Sequence, residues 1–162
     1  MSAGTERWAR AWLALALLAV DPRGLGGVVI RARVGPVQQA AVRLLAPLPG
    51  PAIRIHPEID DAQLFGGLDL GATLAVGAPR RFAGVLARAG TLILPTAERI
   101  GAGLAARLAQ ASDRGEAPCL VLLDEGAEPG EAAPAALADR LALHLDLDGI
   151  GRLEARGPHP EA

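Results

Sequence analysis

Hydrophobic residues along this chain fall into two patterns, short unbroken runs and helically spaced stripes. The runs GVVI, TLIL and CLVLL are bounded by glycine or proline and are typical of buried strands. The stripes, such as Leu104, Leu108 and Ala111, repeat every three to four residues and are typical of helices. Because strands and helices alternate, the pattern predicts an α/β fold with a parallel sheet covered by helices on both faces.

The predicted elements follow one another along most of the chain. A strand in GLGGVVIRARV leads through a turn at Gly35 and Pro36 into a helix that stops before Pro47. A short strand, AIRIH, precedes a predicted loop, PEIDDAQLFGGLDL, and two helical stretches joined by a Gly-Ala-Pro turn in LGATLAVGAPRRFAGVLARAG. The strand GTLILP, a helix closed by Gly115, the strand CLVLLDEG, a helix from near Pro134 and a last strand through Leu147 complete the order.

The first twenty residues fit two interpretations. Arg7 and Arg10 followed by AWLALALLAV resemble the charged and apolar parts of a secretory signal peptide. However, the apolar run is too short to span a membrane, and no small-residue cleavage signal precedes Pro22. We therefore favour a buried helix that ends at the proline, and we expect no membrane insertion.

Composition excludes several classes of function. The net charge is -2, and no face concentrates arginines with aromatic residues, which disfavours nucleic-acid binding. The sequence contains no lysine, so a phosphate-binding Walker lysine and Schiff-base chemistry are both excluded. The three histidines, His56, His144 and His159, are far apart, so we expect no metal site. Cys119 is the only cysteine, which favours a reduced, cytoplasmic location.

The turn after the first predicted strand is the first place to look for a ligand in such a fold. A phosphate-binding loop there would need small residues, a lysine and a Ser or Thr. In RARVGPVQQ, which contributes Arg33 to such a loop, only Gly35 survives of the required residues, and Pro36 lacks an amide donor. Val37 and Gln38 stand where the lysine and hydroxyl would be. The turn is either a degenerate, non-functional phosphate loop or a plain strand-helix turn.

The other strand ends also lack the groups of an ATPase. After GTLILP, where two acids would hold magnesium, only Glu98 is near and it is displaced from the usual position. The strand CLVLLDEG offers no asparagine to sense a γ-phosphate, since the sequence contains none. We expect Asp124 and Glu125 to be solvated loop carboxylates.

Four blocks in order resemble the D subunit of magnesium chelatase over roughly residues 12–149: LAVDPRGLGGVVIRARVGP, LFGGLDLGATLAVGAPRRFAGVLARAGTLILPTAERI, the helix ending DRGE, and ALADRLALHLDLDG. The segment from LFGGLDL to GVLARAG resembles the helix 2 insert of that family. The resemblance implies an AAA+ fold, P-loop-like, with a three-layer α/β/α parallel sheet and degenerate nucleotide motifs. The family's lid, proline-rich linker and integrin-type domain have no counterpart here, so we expect a core at 1–150 and a disordered tail at 151–162.

The resemblance also implies a function and partners. In that family the D subunit is a platform that forms a ring-like hetero-oligomer with the ATPase I subunit. The pair acts on the porphyrin-binding H subunit to insert Mg²⁺ into protoporphyrin IX for chlorophyll or bacteriochlorophyll. We expect this chain to bind no cofactor itself, with ATP and Mg²⁺ held at the partner interface.

The motif ALADRLAL is similar to a chelatase ATPase segment whose arginine reaches a neighbouring subunit's nucleotide, and Arg140 is the matching residue. A guanidinium against a transferring phosphate stabilises transition-state charge, and it can come from another chain. The alternative role of Arg140 is a salt bridge with Asp139 or another exposed acid.

Three other functions stay open. The chain could be an active AAA+ ATPase of the chelatase or MoxR type, although the missing Lys and Asn oppose this. It could be an unrelated small α/β enzyme or binding domain that uses the same strand-end crevice. It could also be a simple interaction module, which differs from the platform only in whether Arg140 contacts nucleotide.

Overall fold

The computed structural model describes residues 2–156. The helices are α1 Ala3–Val20, α2 Pro22–Leu25, α3 Pro36–Arg43, α4 Asp61–Phe65, α5 Leu70–Val76, α6 Val85–Arg88, α7 Ala102–Asp113 and α8 Ala135–Ala138. The strands are β1 Gly27–Arg31, β2 Ala52–Arg54, β3 Gly66–Leu68, β4 Arg81–Ala83, β5 Thr91–Leu94, β6 Cys119–Asp124 and β7 Leu143–Asp146. A 3-10 turn spans Ala97–Arg99.

Five of these strands form one parallel sheet in the order β2-β5-β6-β1-β7. β1 lies between β6 and β7, with Val28 opposite both Val121 and Leu143. Each pair of neighbours is parallel, so every connection crosses over through the layer of helices above or below the sheet. The predicted parallel α/β sheet is therefore confirmed.

Two hydrophobic cores lie on the two faces of the sheet. Successive side chains of a strand point to opposite faces, so the apolar run of β1 serves both cores. Val28 and Ile30 pack with α1 and α3, whereas Val29 packs with the residues of α7 and α8. β6 divides in the same way, with Val121 and Leu123 on one side and Leu120 and Leu122 on the other. This is the three-layer arrangement that the uninterrupted apolar runs predict.

Helix α1 is the buried helix expected from the first twenty residues. Ser2 caps its start by accepting the Thr5 N–H at 3.2 Å, and Pro22 begins a new helix directly after its end. The residues that face the core recur at helical spacing and are Trp8, Ala11, Leu15 and Leu18. Within residues 2–156, no helix combines the length and apolarity needed to cross a lipid bilayer.

The segment 56–83 differs from the prediction. The expected loop contains α4 and β3, and a further strand, β4, pairs antiparallel with β3 to make a separate two-stranded sheet. Asp60 and Asp69 cap α4 and α5 by accepting the N–H groups of Gln63 and Ala72 at 2.7 and 3.0 Å. The strands are short and largely exposed, so they carry no hydrophobic alternation from which to predict them.

Gly66 explains why this small sheet closes. Its φ is 85°, and a Cβ built there would lie 2.4 Å from the carbonyl oxygen of Phe82 on the paired strand. Only glycine fits both the left-handed backbone and the close approach of β4. The turn from α4 into β3 therefore requires glycine here, and also at Gly84, where a Cβ would lie 2.3 Å from the Gly66 nitrogen.

The two ends of the described chain meet. Residues 151–156, where we expected the start of a disordered tail, form a turn in which the N–H of Ala155 donates to the Gly151 carbonyl at 3.1 Å. The Ser2 hydroxyl donates to Glu154, and this bond chiefly holds the pKa of Glu154 below its ordinary value. The rest of the expected tail, with His159, lies outside the described residues.

Candidate functional site

The carboxyl ends of β1, β6 and β7 meet at one edge of the sheet, which we call the carboxyl edge. Parallel α/β folds bind their ligands at such an edge. An open cleft of ≈ 460 Å³ lies here between the loop after β1 and the loop after β7. Its lining includes four of the predicted cradle residues, which are Arg33, Gly35, Pro36 and Val37.

The loop after β1 lacks features of a phosphate cradle. Gly35 precedes α3 with an extended φ of 162°, a conformation that does not require glycine. Pro36 begins the helix and brings no N–H to its first turn. The backbone N–H of Arg33 donates to the carboxylate of Asp148 at 3.3 Å. This amide at the mouth of the cleft is therefore not available to a phosphate. A carboxylate in that place repels a phosphate.

Gln38 is turned away from the cleft. Its side chain is buried, and Nε2 donates to Glu125 Oε1 at 2.8 Å and to the Ala32 carbonyl at 3.3 Å. The residue that stands where a hydroxyl would bind magnesium therefore ties α3 to the loop after β6. The structure brings the other four predicted loop residues together around the cleft and places Gln38 behind them.

Asp124 is not the solvated loop carboxylate that we expected, because it is only 3% exposed. Its Oδ2 lies 3.3 Å from Arg31 Nη1 and accepts the N–H of Ala133 at 3.1 Å. Its Oδ1 accepts the N–H of Gly126 at 3.0 Å. Burial of a charge is tolerated only with such partners, and each carboxylate oxygen has at least one.

Arg31 joins the three loops of the carboxyl edge. Besides Asp124, its guanidinium donates to the carbonyls of Glu131 and Gly126 at 3.0 and 3.3 Å, and Nε lies 3.6 Å from Asp148 Oδ2. Sequence reasoning missed this residue. A signal was present, since GVVIR and CLVLLD are two apolar runs that end in opposite charges, and β1 pairs Arg31 with Asp124.

Glu98 and Glu125 complete the edge. The Glu98 side chain is only 6% exposed, and its Oε2 accepts the N–H of Glu125 at 2.9 Å. Glu125 in turn accepts the amide of Gln38, so it is part-buried and bonded rather than solvated, contrary to expectation. The contact with Glu98 helps to bury the loop after β6. Because Glu98 and Glu125 are 27 residues apart along the chain, local sequence patterns do not predict this contact.

The buried carboxylates of the carboxyl edge have hydrogen-bond or ion-pair partners within this chain. Within the part of the chain that the structure describes, no group of three or more His, Cys, Asp or Glu side chains is placed to hold a metal ion. The carboxylates instead accept backbone and side-chain N–H groups. Chemically, this arrangement fixes the loops after β1, β6 and β7 to one another, and the guanidinium that lines the cleft, that of Arg33, lies in a loop whose backbone is already bonded to the carboxylate of Asp148.

Arg140 lies at the opposite, amino edge of the sheet, three residues before β7. Its Nε and Nη2 donate to the two oxygens of Asp113 at 2.8 and 2.7 Å, and Nη1 donates to the carbonyl of Ala136. The alternative role, a salt bridge with an exposed acid, is therefore present in the structure, and the acid is Asp113 at the end of α7 rather than the adjacent Asp139. The hydrogen bond from Arg140 holds the pKa of Asp113 below its ordinary value, and the same bond raises the pKa of Arg140.

The two groups of predicted site residues do not meet in one chain. Strand β1 separates the edges, and five residues at the rise of a parallel strand span roughly 15 Å. Arg140 packs near Gly26, which precedes β1, whereas Arg33 to Gln38 follow it. Arg140 therefore does not reach a ligand bound at the carboxyl edge of its own chain.

No protein-family model matches this chain. It is 51% identical over 151 residues to the magnesium-chelatase 60 kDa subunit of Cereibacter sphaeroides, with 92% of this chain and 26% of that protein covered. It is 47% identical over 150 residues to the subunit of the same name from Rhodobacter capsulatus, with 91% and 27% covered. The chain thus spans about a quarter of the length of these relatives.

A similar solved structure is a chain from the model of the complex between subunits BchI and BchD of magnesium chelatase, based on single-particle cryo-EM. The TM-score is 0.60 at 22% identity, and the match covers 88% of this chain and 60% of that one. At this identity the likeness shows the fold alone, a parallel α/β sheet covered by helices. Over more than nine tenths of its length this chain is thus similar in sequence to a part of the magnesium-chelatase 60 kDa subunits, which confirms the resemblance that its sequence blocks indicated.

Proposed function

We propose that this chain is a non-hydrolysing AAA+ platform of magnesium chelatase. In this role it assembles with the ATPase I subunit in a ring-like hetero-oligomer and acts with the porphyrin-binding H subunit. The assembly drives ATP-dependent insertion of Mg²⁺ into protoporphyrin IX in (bacterio)chlorophyll biosynthesis. Support comes from the two 60 kDa relatives and from the named complex of BchI with BchD.

The observation that carries the non-hydrolysing role is the closure of the carboxyl edge on itself. Gln38 donates a hydrogen bond to Glu125, and Asp148 accepts the backbone N–H of Arg33. Arg31 forms an ion pair with Asp124. ATP binding at this edge would need free amides and a cation for the phosphates. The sequence holds no lysine for the phosphates, and in the loop of Arg33, which lines the cleft, the carboxylate of Asp148 already accepts a backbone N–H.

Arg140 supplies the second half of the proposal. It lies at the amino edge, its side chain is 35% exposed, and it lies too far from this chain's own loop to act there. A group placed in this way acts on a nucleotide only across a subunit interface. ATP and Mg²⁺ then bind in the I subunit, and this chain contributes the guanidinium to the γ-phosphate.

A binding and assembly experiment tests the proposal. A fluorescent ATP analogue with Mg²⁺ is titrated into the chain alone, and mass photometry follows the chain mixed with the I subunit and MgATP. We expect no saturable binding to the chain alone and a hetero-oligomer in the mixture. Saturable binding together with hydrolysis by the chain would establish the active ATPase, while no association with the I subunit would favour an unrelated α/β domain.

A further inference from the structure

We infer that Asp113 is a positioning residue for Arg140. It holds the guanidinium so that one N–H on each terminal nitrogen stays free for phosphate oxygens of a neighbouring subunit's nucleotide. This inference rests on the proposed function, in which Arg140 acts on the nucleotide of the I subunit. It goes further by assigning a role to the carboxylate at the end of α7.

The distribution of hydrogen bonds around Arg140 is the first argument. Arginine carries five N–H donors in one plane. Asp113 takes the donors of Nε and Nη2 in a side-by-side pair, and the Ala136 carbonyl takes one donor of Nη1. One N–H on Nη1 and one on Nη2 remain. Two donors on one planar group suit bidentate binding of phosphate, so the pair with Asp113 leaves the group able to bind.

The place of Asp113 in its helix is the second argument. Asp113 is the last residue of α7, where the helix dipole opposes a negative charge. No basic residue within the last turn offsets this charge, and Arg114, which follows as the C-cap, lies 3.9 Å from Glu116 instead. Arg140 provides that offset from a different element. The helix dipole makes the end of α7 an unfavourable place for an acid. A role in holding Arg140 explains why Asp113 is there.

The supports of Arg140 are themselves rigid, which is the third argument. Asp113 ends a helix whose inner face is buried, and Ala136 belongs to α8, which buries Leu137 and Ala138 in the same core. Both partners of the guanidinium are therefore fixed relative to each other. A long side chain that is already held in place loses less freedom when it binds a phosphate.

Asp139 provides a matched comparison. It adjoins Arg140 and raises the arginine's pKa through charge alone. Asp113 also accepts two hydrogen bonds from the guanidinium, and these bonds fix its orientation. A role in positioning predicts that only Asp113 matters for the chemical step. A role in general electrostatics predicts similar effects for the two acids.

The experiment uses the full chain assembled with the I subunit, and kcat and KM for MgATP are measured. Removing the hydrogen-bond partner of a metal-binding side chain costs about 10- to 100-fold in activity, and by analogy we expect Asp113→Ala to lower kcat by about that factor with KM and assembly unchanged. Asp139→Ala should change kcat less than about twofold, since it removes no hydrogen bond. Asp113→Asn keeps one acceptor oxygen and should lie between, and it replaces the alanine variant if that one does not fold. Equal losses in the Asp113 and Asp139 variants would overturn the inference.

A double-mutant cycle separates this inference from the function beneath it. In an Arg140→Ala background, Asp113→Ala should lower kcat no further, because the two residues act as one unit. A further loss would show a separate structural role for Asp113. If Arg140→Ala leaves turnover of an intact assembly unchanged, the arginine's proposed role fails. If Arg140→Ala lowers kcat and Asp113→Ala does not, only the positioning role fails.

Discussion

Arg31 and Asp124 end two neighbouring strands at the same register position, and Nη1 of the arginine lies 3.3 Å from Oδ2 of the buried carboxylate. This pair stands at the edge where folds of this class bind their ligands. Here the charges of the edge bind each other and the adjacent loops. The chain thus keeps a parallel α/β architecture, while internal contacts hold the loops at its carboxyl edge.

Replacing Arg31 with methionine should destabilise the chain. The variant leaves the carboxylate of Asp124 buried without its ion-pair partner, which costs roughly 2–3 kcal/mol, less than for a fully buried pair because Arg31 is partly in water. Urea unfolding followed by circular dichroism measures the change in the free energy of unfolding. A change near zero would show that the backbone N–H groups of Gly126 and Ala133 suffice for Asp124.

Arg54→Met is the matched control for this substitution. Arg54 is exposed on the edge strand β2, so its loss should change the free energy of unfolding by less than about 0.5 kcal/mol. A loss in the control as large as that in Arg31→Met would mean that the ion pair is not the cause.

Substitution of Gln38 tests the link between α3 and the loop after β6. Gln38→Glu places a second carboxylate against Glu125 and removes a buried hydrogen bond, so we expect a loss of about 2–3 kcal/mol. Gln38→Met removes the hydrogen bond without adding charge and should cost about 1 kcal/mol. Thermal unfolding shows which of the two variants is the less stable. A glutamate variant as stable as the methionine variant would contradict the packed arrangement of these side chains.

The sequence predicts the sheet well because its buried strands are unusually uniform. An uninterrupted run such as TLIL has few alternatives to a strand that is covered on both faces, and β5 is buried at each of its four positions. The turn at Gly35 and the end of α7 at Gly115 were equally predictable, since Pro36 and a φ of 69° at Gly115 follow local rules.

The polar side of the site was less predictable because its contacts join distant parts of the chain. From its sequence neighbours, Asp124 is predicted to be an acid in an exposed loop. Only the pairing of β1 with β6 shows that Arg31 lies beside it. The partner of Arg140 is 27 residues away on α7, so the sequence predicts a pair with Asp139 or another exposed acid but does not identify Asp113. The strands β3 and β4 were missed since their side chains are largely exposed and depend on the close approach at Gly66.

The pair of Asp113 and Arg140 predicts a specific dependence on pH. The pKa of Asp113 is lower in the folded chain, so its ionised form is favoured there, and the stabilisation is present above the unfolded pKa of about 3.9. It is lost as pH falls through the lowered folded pKa. The difference in free energy of unfolding between the wild type and Asp113→Asn should therefore be constant from pH 7 to 5 and shrink in acid. A difference that persists unchanged at the lowest pH would contradict the ionic pair.

Cys119 should report on unfolding. The thiol is buried, and burial raises its pKa to about 11. At pH 8 only about one thiol in a thousand is then ionised, so alkylation by iodoacetamide should be slow in buffer and fast in urea. Mass spectrometry of timed samples measures the rate, with a short cysteine peptide as the control. Complete labelling of the native chain at the rate of the peptide would show that β6 is accessible.

The central claim is that this chain acts on a partner's ATP without hydrolysing its own. The most direct measurement is ATP turnover by the I subunit alone, with this chain, and with Arg140→Ala, next to the chain by itself. We expect no turnover by the chain alone, a clear change in turnover of the I subunit when the chain is added, and loss of that change in the variant although assembly persists. Turnover by the chain itself, or an I subunit indifferent to its presence, would contradict the account.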